Sequence, residues 1–212
     1  EIVGSIGKEI RTHAPDAFVV VVSNPLDIMT YHMMKSTGFA PERVVGMAGV
    51  LDSARFRAFI AMELGVAATD VHAMVLGGHG DSMVPLPQYA TVSGVTIKDL
   101  LAPDVIDRLV ERTRKGGGEI VALLKTGSAF YAPGASAAQM VESILLDTKR
   151  FLPAAAWCNG QYGIEGTYVG VPVVLGAGGV EKIVELPLSE SDLAALRTSA
   201  NEVKDGIREL GA

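Results

Sequence analysis

Residues 17–27 read Ala17-Phe18-Val19-Val20-Val21-Val22-Ser23-Asn24-Pro25-Leu26-Asp27. The apolar run from Ala17 to Val22 is unbroken and β-branched at its end, so it lacks the alternation of a half-buried strand. It reads as a strand covered on both faces, the kind found in parallel sheets with helices on either side. Ser23-Asn24-Pro25 ends it, and Asp27 to Ser36 reads as a helix stopped near Gly38. Upstream, Ile2, Ile6 and Ile10 recur four apart until Pro15-Asp16, which predicts the end of an amphipathic helix. Downstream, Arg43 to Gly46 is a short strand. Leu51 to Leu64 is a strong helix with Phe56, Phe59, Ile60 and Met62 as apolar faces and Gly65 as its stop. Helices alternating with apolar strands predict a doubly wound, Rossmann-type α/β sheet.

The character changes between Glu63 and Thr69, which predicts two parts, residues 1–65 and 66–212. In the second, Val71 to Leu76 reads as a strand with His72 packed in it, and Gly77-Gly78-His79-Gly80-Asp81 as a loop. Tyr89 to Ile97 reads as a hairpin turning at Ser93-Gly94. Pro103 to Leu124 is helical despite Gly116-Gly117-Gly118. Each glycine costs a helix about 1 kcal/mol, so the triplet predicts close approach to another backbone. Ser136 to Leu146 is a further helix. Strands are expected at Leu152 to Cys158, Tyr168 to Leu175 and Val180 to Leu186, the first two joined by a turn at Gly160 and Gly163. The last helix begins at Ser189, with Asp192 at the capping-box position and a buried stripe of Leu193, Leu196, Val203, Ile207 and Leu210. The second part is therefore α+β.

Hydrophobic residues make up 49% of the 212, enough for a substantial core. The 18 basic and 24 acidic residues give a net charge of −6 with no basic block, which argues against a nucleic-acid partner. Apolar runs are too short to cross a bilayer, and Glu1-Ile2-Val3 shows no signal-peptide pattern. A single cysteine, Cys158, excludes an intrachain disulfide and fits a reducing, cytoplasmic setting. No Cys/His cluster has the spacing of a metal site.

No glycine cluster forms the dinucleotide fingerprint G-x-G-x-x-G: Gly78-x-Gly80 is followed by Met83, Gly116-x-Gly118 by Val121 and Gly176-x-Gly178 by Glu181. The chemistry lies elsewhere, in Asp52, Arg55 and His79. Asp52 and Arg55 are three apart at the start of one helix and share a face. A guanidinium binds a carboxylate through two parallel hydrogen bonds. His79 stands between glycines in a loop, and an imidazole exchanges protons near neutral pH. An aspartate on its other nitrogen fixes the tautomer. Together these groups anchor a carboxylate and move one proton at a neighbouring carbon–oxygen bond; the hydride of an alcohol oxidation must go to a nicotinamide. Singly, each residue has an ordinary reading as an ion pair, a helix cap or an exposed histidine, and spacing alone does not join His79 to Asp52. His13, His32 and His72 lack the flanking glycines.

Ser23-Asn24-Pro25, Leu51-Asp52-Ser53-Ala54-Arg55-Phe56-Arg57 and Gly78-His79-Gly80-Asp81, in this order, resemble the motifs of the lactate/malate dehydrogenase family. The likeness continues through Gly116-Gly117-Gly118-Glu119-Ile120 and Gly170-Val171-Pro172 to the last helix. It implies NAD as cofactor, a small 2-hydroxy acid as substrate and assembly as a homodimer or homotetramer. It makes His79 the proton acceptor and donor, with Asp52 as its partner. Arg55 becomes the clamp on the substrate carboxylate, and Asn24 a contact to substrate and nicotinamide ribose. Val22 and Ser23 line the nicotinamide site through backbone atoms. Gly77 to Leu86 is more similar to the malate-oxidising members, because lactate enzymes commonly carry an acidic residue at Gly78 and threonine at Ala129. Malate and oxaloacetate are therefore the expected substrates. The family's first strand, Gly-rich loop, ribose-binding acid and mobile specificity loop have no counterpart here and are expected to precede Glu1. Two alternatives stay open: lactate as substrate, and a non-catalytic oligomerisation module.

Overall fold

The fold comes from a computed structural model that describes residues 1–211. The predicted apolar strand forms as β1 (Val19–Val21), after helix α1 (Ile2–His13) and before α2 (Leu26–Thr37). β2 (Val44–Gly46) and α3 (Gly49–Leu64) follow. α2 and α3 both end on a left-handed glycine, Gly38 at φ 68° and Gly65 at φ 67°, a conformation without steric cost only for that residue. β1 and β2 pair in parallel, Val19 opposite Val44.

Only part of β1 has the two-sided cover its composition predicts, since Val21 is buried but Val19 and Val20 only half-buried. α1 also departs from expectation. Ile2 and Ile6 are exposed, whereas Gly4 and Gly7 are buried against α2. A Cβ on Gly4 would lie 2.7 Å from His32 Nε2, and one on Gly7 2.6 Å from Ser36 Cβ. The face without side chains is the one that lets the two helices touch.

The stretch predicted as one strand from Val71 to Leu76 is two short ones, β3 (Val71–His72) and β4 (Val75–Leu76), the latter pairing with β5 (Val84–Pro85). His72 is exposed rather than packed, because Val71 takes the inward position and its neighbour points out. The hairpin is β6 (Thr91–Val92) and β7 (Val95–Thr96), turning at Ser93 and Gly94. α4 (Ile97–Leu100) leads into α5 (Pro103–Leu124), and α6 (Tyr131–Leu145) starts five residues earlier than its composition predicts. β8 (Arg150–Asn159), β9 (Glu165–Gly176), β10 (Gly179–Ile183) and α7 (Glu190–Glu209) complete the chain.

The main sheet has the order β1-β2-β8-β9-β10. Its first pair is parallel; every later pairing is antiparallel, with Gly46 opposite Ala155 and Ala156 opposite Val169. One sheet thus unites strands from both sides of residue 65. Its core joins Val45, Leu152, Val171 and Leu175 to Met140 of α6 and to Leu196 and Ala200 of α7. A second core packs Phe56 and Ile60 of α3 on Ile106 and Leu109 of α5. Two residues assigned to buried stripes, Met62 and Leu210, are exposed. At the start of α7 the Ser189 hydroxyl accepts from the Asp192 amide at 3.1 Å, and the Asp192 carboxylate takes the Ser189 hydroxyl rather than its amide. No helix among the described residues is long and apolar enough to cross a membrane.

Candidate active site

Four chain segments meet at one cleft of about 490 Å³: the end of β1, the start of α3, the loop after β4 and the stretch of α5 from Arg114 to Gly118. The first turn of α3 buries Asp52 and places Arg55 one turn further along the same face. Asp52 divides its carboxylate between two partners. Oδ1 accepts from Arg55 Nη1 at 3.2 Å, and Oδ2 lies 2.8 Å from His79 Nδ1. The structure thus joins across 27 residues the pair that spacing could not connect. With Nδ1 bonded to Asp52, His79 Nε2 makes no hydrogen bond among the described residues, and the ring stands on the cleft wall.

Burial works against a charged His79. The hydrogen bond to Asp52 and the charges of Asp52 and Asp27 act the other way, and Arg55 opposes them. The net effect raises the imidazole above its ordinary value, so it holds a proton further into the neutral range.

Arg55 is nearly buried, with 11% of its side chain exposed, and its Nε has no hydrogen-bond partner among the described residues. The reason lies in α5. A Cβ on Gly116 would sit 3.3 Å from Arg55 Cδ, and one on Gly117 would sit 3.7 Å from its guanidinium. The first two glycines of the triplet therefore face the arginine side chain, with Gly116 the tighter contact, and not a second backbone as the sequence led us to expect.

Asn24 shares the cleft with Arg55 and His79, whereas Val22 and Ser23 stand exposed at the strand end without lining it. The Asn24–Pro25 peptide is cis.

Three neighbours escaped the sequence reading. Arg114 of α5 adds a second guanidinium to the cleft wall; its only signal was its place two residues before the glycines. Asp27, which reads as a helix-start acid, is buried, and its Oδ2 accepts from the His79 amide at 2.8 Å. Ser199, on the last helix, accepts from the Gly78 amide at 2.6 Å, and no local pattern announces that contact. Among the described residues no group of three or more His, Cys, Asp or Glu could hold a metal ion.

Fold and site together define an α/β protein in which a hydrogen-bonded histidine–aspartate pair stands beside an arginine at one cleft. Residues 1–46 match the lactate/malate dehydrogenase NAD binding domain, and residues 49–212 the alpha/beta C-terminal domain of the same name. The chain belongs to the lactate/malate dehydrogenase family. Malate dehydrogenase of Rhodopirellula baltica is 54% identical over 204 residues, 96% of this chain and 65% of that protein. The chain therefore spans about two-thirds of that relative's length. The structure of malate dehydrogenase from Salinibacter ruber superposes with a TM-score of 0.97 at 51% identity, over 99% of this chain and 68% of that one. The lactate dehydrogenase of Cryptosporidium parvum, complexed with lactic acid and NAD, gives 0.96 at 43% identity, again over 99% and 68%.

Proposed function

We propose that this chain carries the substrate-anchoring and proton-transfer residues of an NAD-dependent malate dehydrogenase, which oxidises (S)-malate to oxaloacetate and back. The observation that carries the reading is the shared carboxylate of Asp52, which holds His79 and Arg55 on one wall of the cleft. In oxidation the substrate hydroxyl gives its proton to Nε2 of His79, and Asp52 stabilises the imidazolium that forms. In reduction the same proton returns. Arg55 grips the carboxylate beside the reacting carbon, and Arg114 offers a second cation that suits a dicarboxylate.

The residues present fit the nicotinamide end of the cofactor. Val22 is an exposed apolar residue just past a parallel strand, where open α/β sheets bind ligands, and Asn24 beside it lines the cleft. Bound NAD supplies the hydride acceptor. Residues 1–65 serve in this reading as part of the cofactor-binding unit and residues 66–212 as the substrate unit. The reading also includes a homodimer or homotetramer in the cytoplasm and a place in the tricarboxylic acid cycle.

The test is NADH oxidation by the purified protein with oxaloacetate and pyruvate in parallel. Turnover with oxaloacetate alone supports the assignment. Turnover with pyruvate makes it a lactate dehydrogenase, and none with either favours the non-catalytic module. The raised His79 sets the pH dependence. Malate oxidation needs the neutral ring and increases as pH rises through the folded pKa, above 6.5, whereas oxaloacetate reduction declines over the same interval.

A further inference from the structure

Gly77, Gly78 and His79 are fastened one after another to three different elements. Gly77 exchanges backbone hydrogen bonds with Gly170 of β9, at 2.8 and 3.1 Å. The Gly78 amide donates to Ser199 Oγ of α7 at 2.6 Å, and the His79 amide donates to Asp27 Oδ2 of α2 at 2.8 Å. Ser199 is fully buried and Asp27 is 5% exposed.

The carboxylate is an expensive choice for the last of these. Asp27 Oδ1 is buried without a hydrogen-bond partner among the described residues, and a neutral acceptor would satisfy the same amide without desolvating a charge. A charge kept where the hydrogen bond does not need it points to a second use, and the nearby imidazole supplies one.

We propose that Asp27 is a positioning residue of the reaction: its carboxylate fixes the backbone of His79 in the cleft, and its negative charge biases the ring towards the protonated form. The proposal rests on His79 being the proton carrier. The charged groups around the pair come from every element packed there: Asp52 and Arg55 from α3, Arg114 from α5, Glu202 from α7, and Asp81 from the loop itself. Among the described residues only Asp27 and Asp52 contact His79 by hydrogen bonds, one at the amide and one at the ring. Burial pushes the Asp27 carboxyl up to about 6, so its support for the imidazolium is present near neutral pH and fades in acid.

Two substitutions separate the roles. Asp27→Asn keeps an acceptor for the amide and removes the charge. Asp27→Ala removes both. The readouts are kcat and KM for oxaloacetate across pH, together with the NMR titration of the His79 ring. For Asp27→Asn we expect the ring titration and the limb of the pH profile to move together to lower pH. For Asp27→Ala we expect kcat to fall on the order of 10- to 100-fold, because a histidine displaced by a fraction of an ångström is out of line with its substrate. Wild-type profiles and ring titration in Asp27→Asn overturn the proposal, and the Asn variant suffices if the Ala variant does not fold. His79→Gln is the control. If it turns over normally, the proton-carrier reading itself fails. If it is inactive while Asp27→Asn is indistinguishable from the parent, only the role of Asp27 fails.

Discussion

Asp52 serves two partners with one carboxylate, so its loss acts on both. In Asp52→Asn the amide cannot both accept from Arg55 and stabilise an imidazolium at Nδ1, and the His79 tautomer is no longer fixed. Turnover is expected to fall roughly 10²–10⁴-fold, with the His79 limb of the pH profile moving down because the group that holds the proton is gone. A loss under tenfold with an unmoved limb would mean the pair is structural. Asp27, besides its place beside His79, also bears on stability. Its folded value of about 6 lies above the ordinary 3.8, so the stabilisation it represents is full below 3.8 and disappears as pH rises through 6. Asp27→Asn does not titrate, and its stability relative to the parent should grow between acid and neutral pH by roughly 3 kcal/mol at the limit. Denaturant unfolding at a series of pH values checks this; a constant difference would remove Asp27 as a desolvated acid. The site residues legible in the sequence were those whose type names a chemistry: His79 between glycines, Arg55 one turn from Asp52. Asp27 and Ser199 were illegible because their work is done on backbone amides distant in sequence, and a helix-start aspartate or a helical serine looks the same without that partner.

α5 shows how an element is shaped by a side chain of another. Gly116, Gly117 and Gly118 all weaken the helix, but only the first two face Arg55; among the described residues nothing lies within 4 Å of a Cβ on Gly118. Gly116→Ala and Gly118→Ala therefore gain the same helix propensity with different consequences. Gly118→Ala should stabilise the protein by up to about 1 kcal/mol, some 2–4 °C in Tm. Gly116→Ala must move Arg55 by a few tenths of an ångström, offsetting that gain and raising KM for oxaloacetate by up to roughly tenfold. Equal melting temperatures and unchanged KM in both would refute the packing argument. Helix positions were readable because their punctuation is local, as at Gly38, Gly65 and Ser189. Their faces were less so. In α1 the isoleucine spacing points to a buried stripe, yet the glycines are what α2 covers, since contact between two helices selects for small residues as well as apolar ones.

At the scale of the molecule, the order β1-β2-β8-β9 sets the spacing of the site. Asn24 follows β1, Asp52 and Arg55 sit on the helix after β2, and the His79 loop is tied to β9 through Gly77 and Gly170. The alternation of helices and strands announced the parallel pair. The antiparallel union of β2 with β8 was silent, because a register between strands some hundred residues apart leaves no local pattern. Gly170 is where this architecture meets the chemistry. A Cβ there would collide with the Gly77 carbonyl oxygen, which is backbone on both sides and has no rotamer into which to retreat. Gly170→Ala must therefore part the two backbones, weakening the bridge and shifting the loop that ends in His79. We expect a destabilisation of about 1–3 kcal/mol, seen as a lowered Tm, together with a fall in kcat that exceeds any change in KM, since Arg55 stands on α3 and keeps its place. The opposite split, a raised KM with kcat intact, would show that β9 sets substrate affinity rather than the position of the proton carrier.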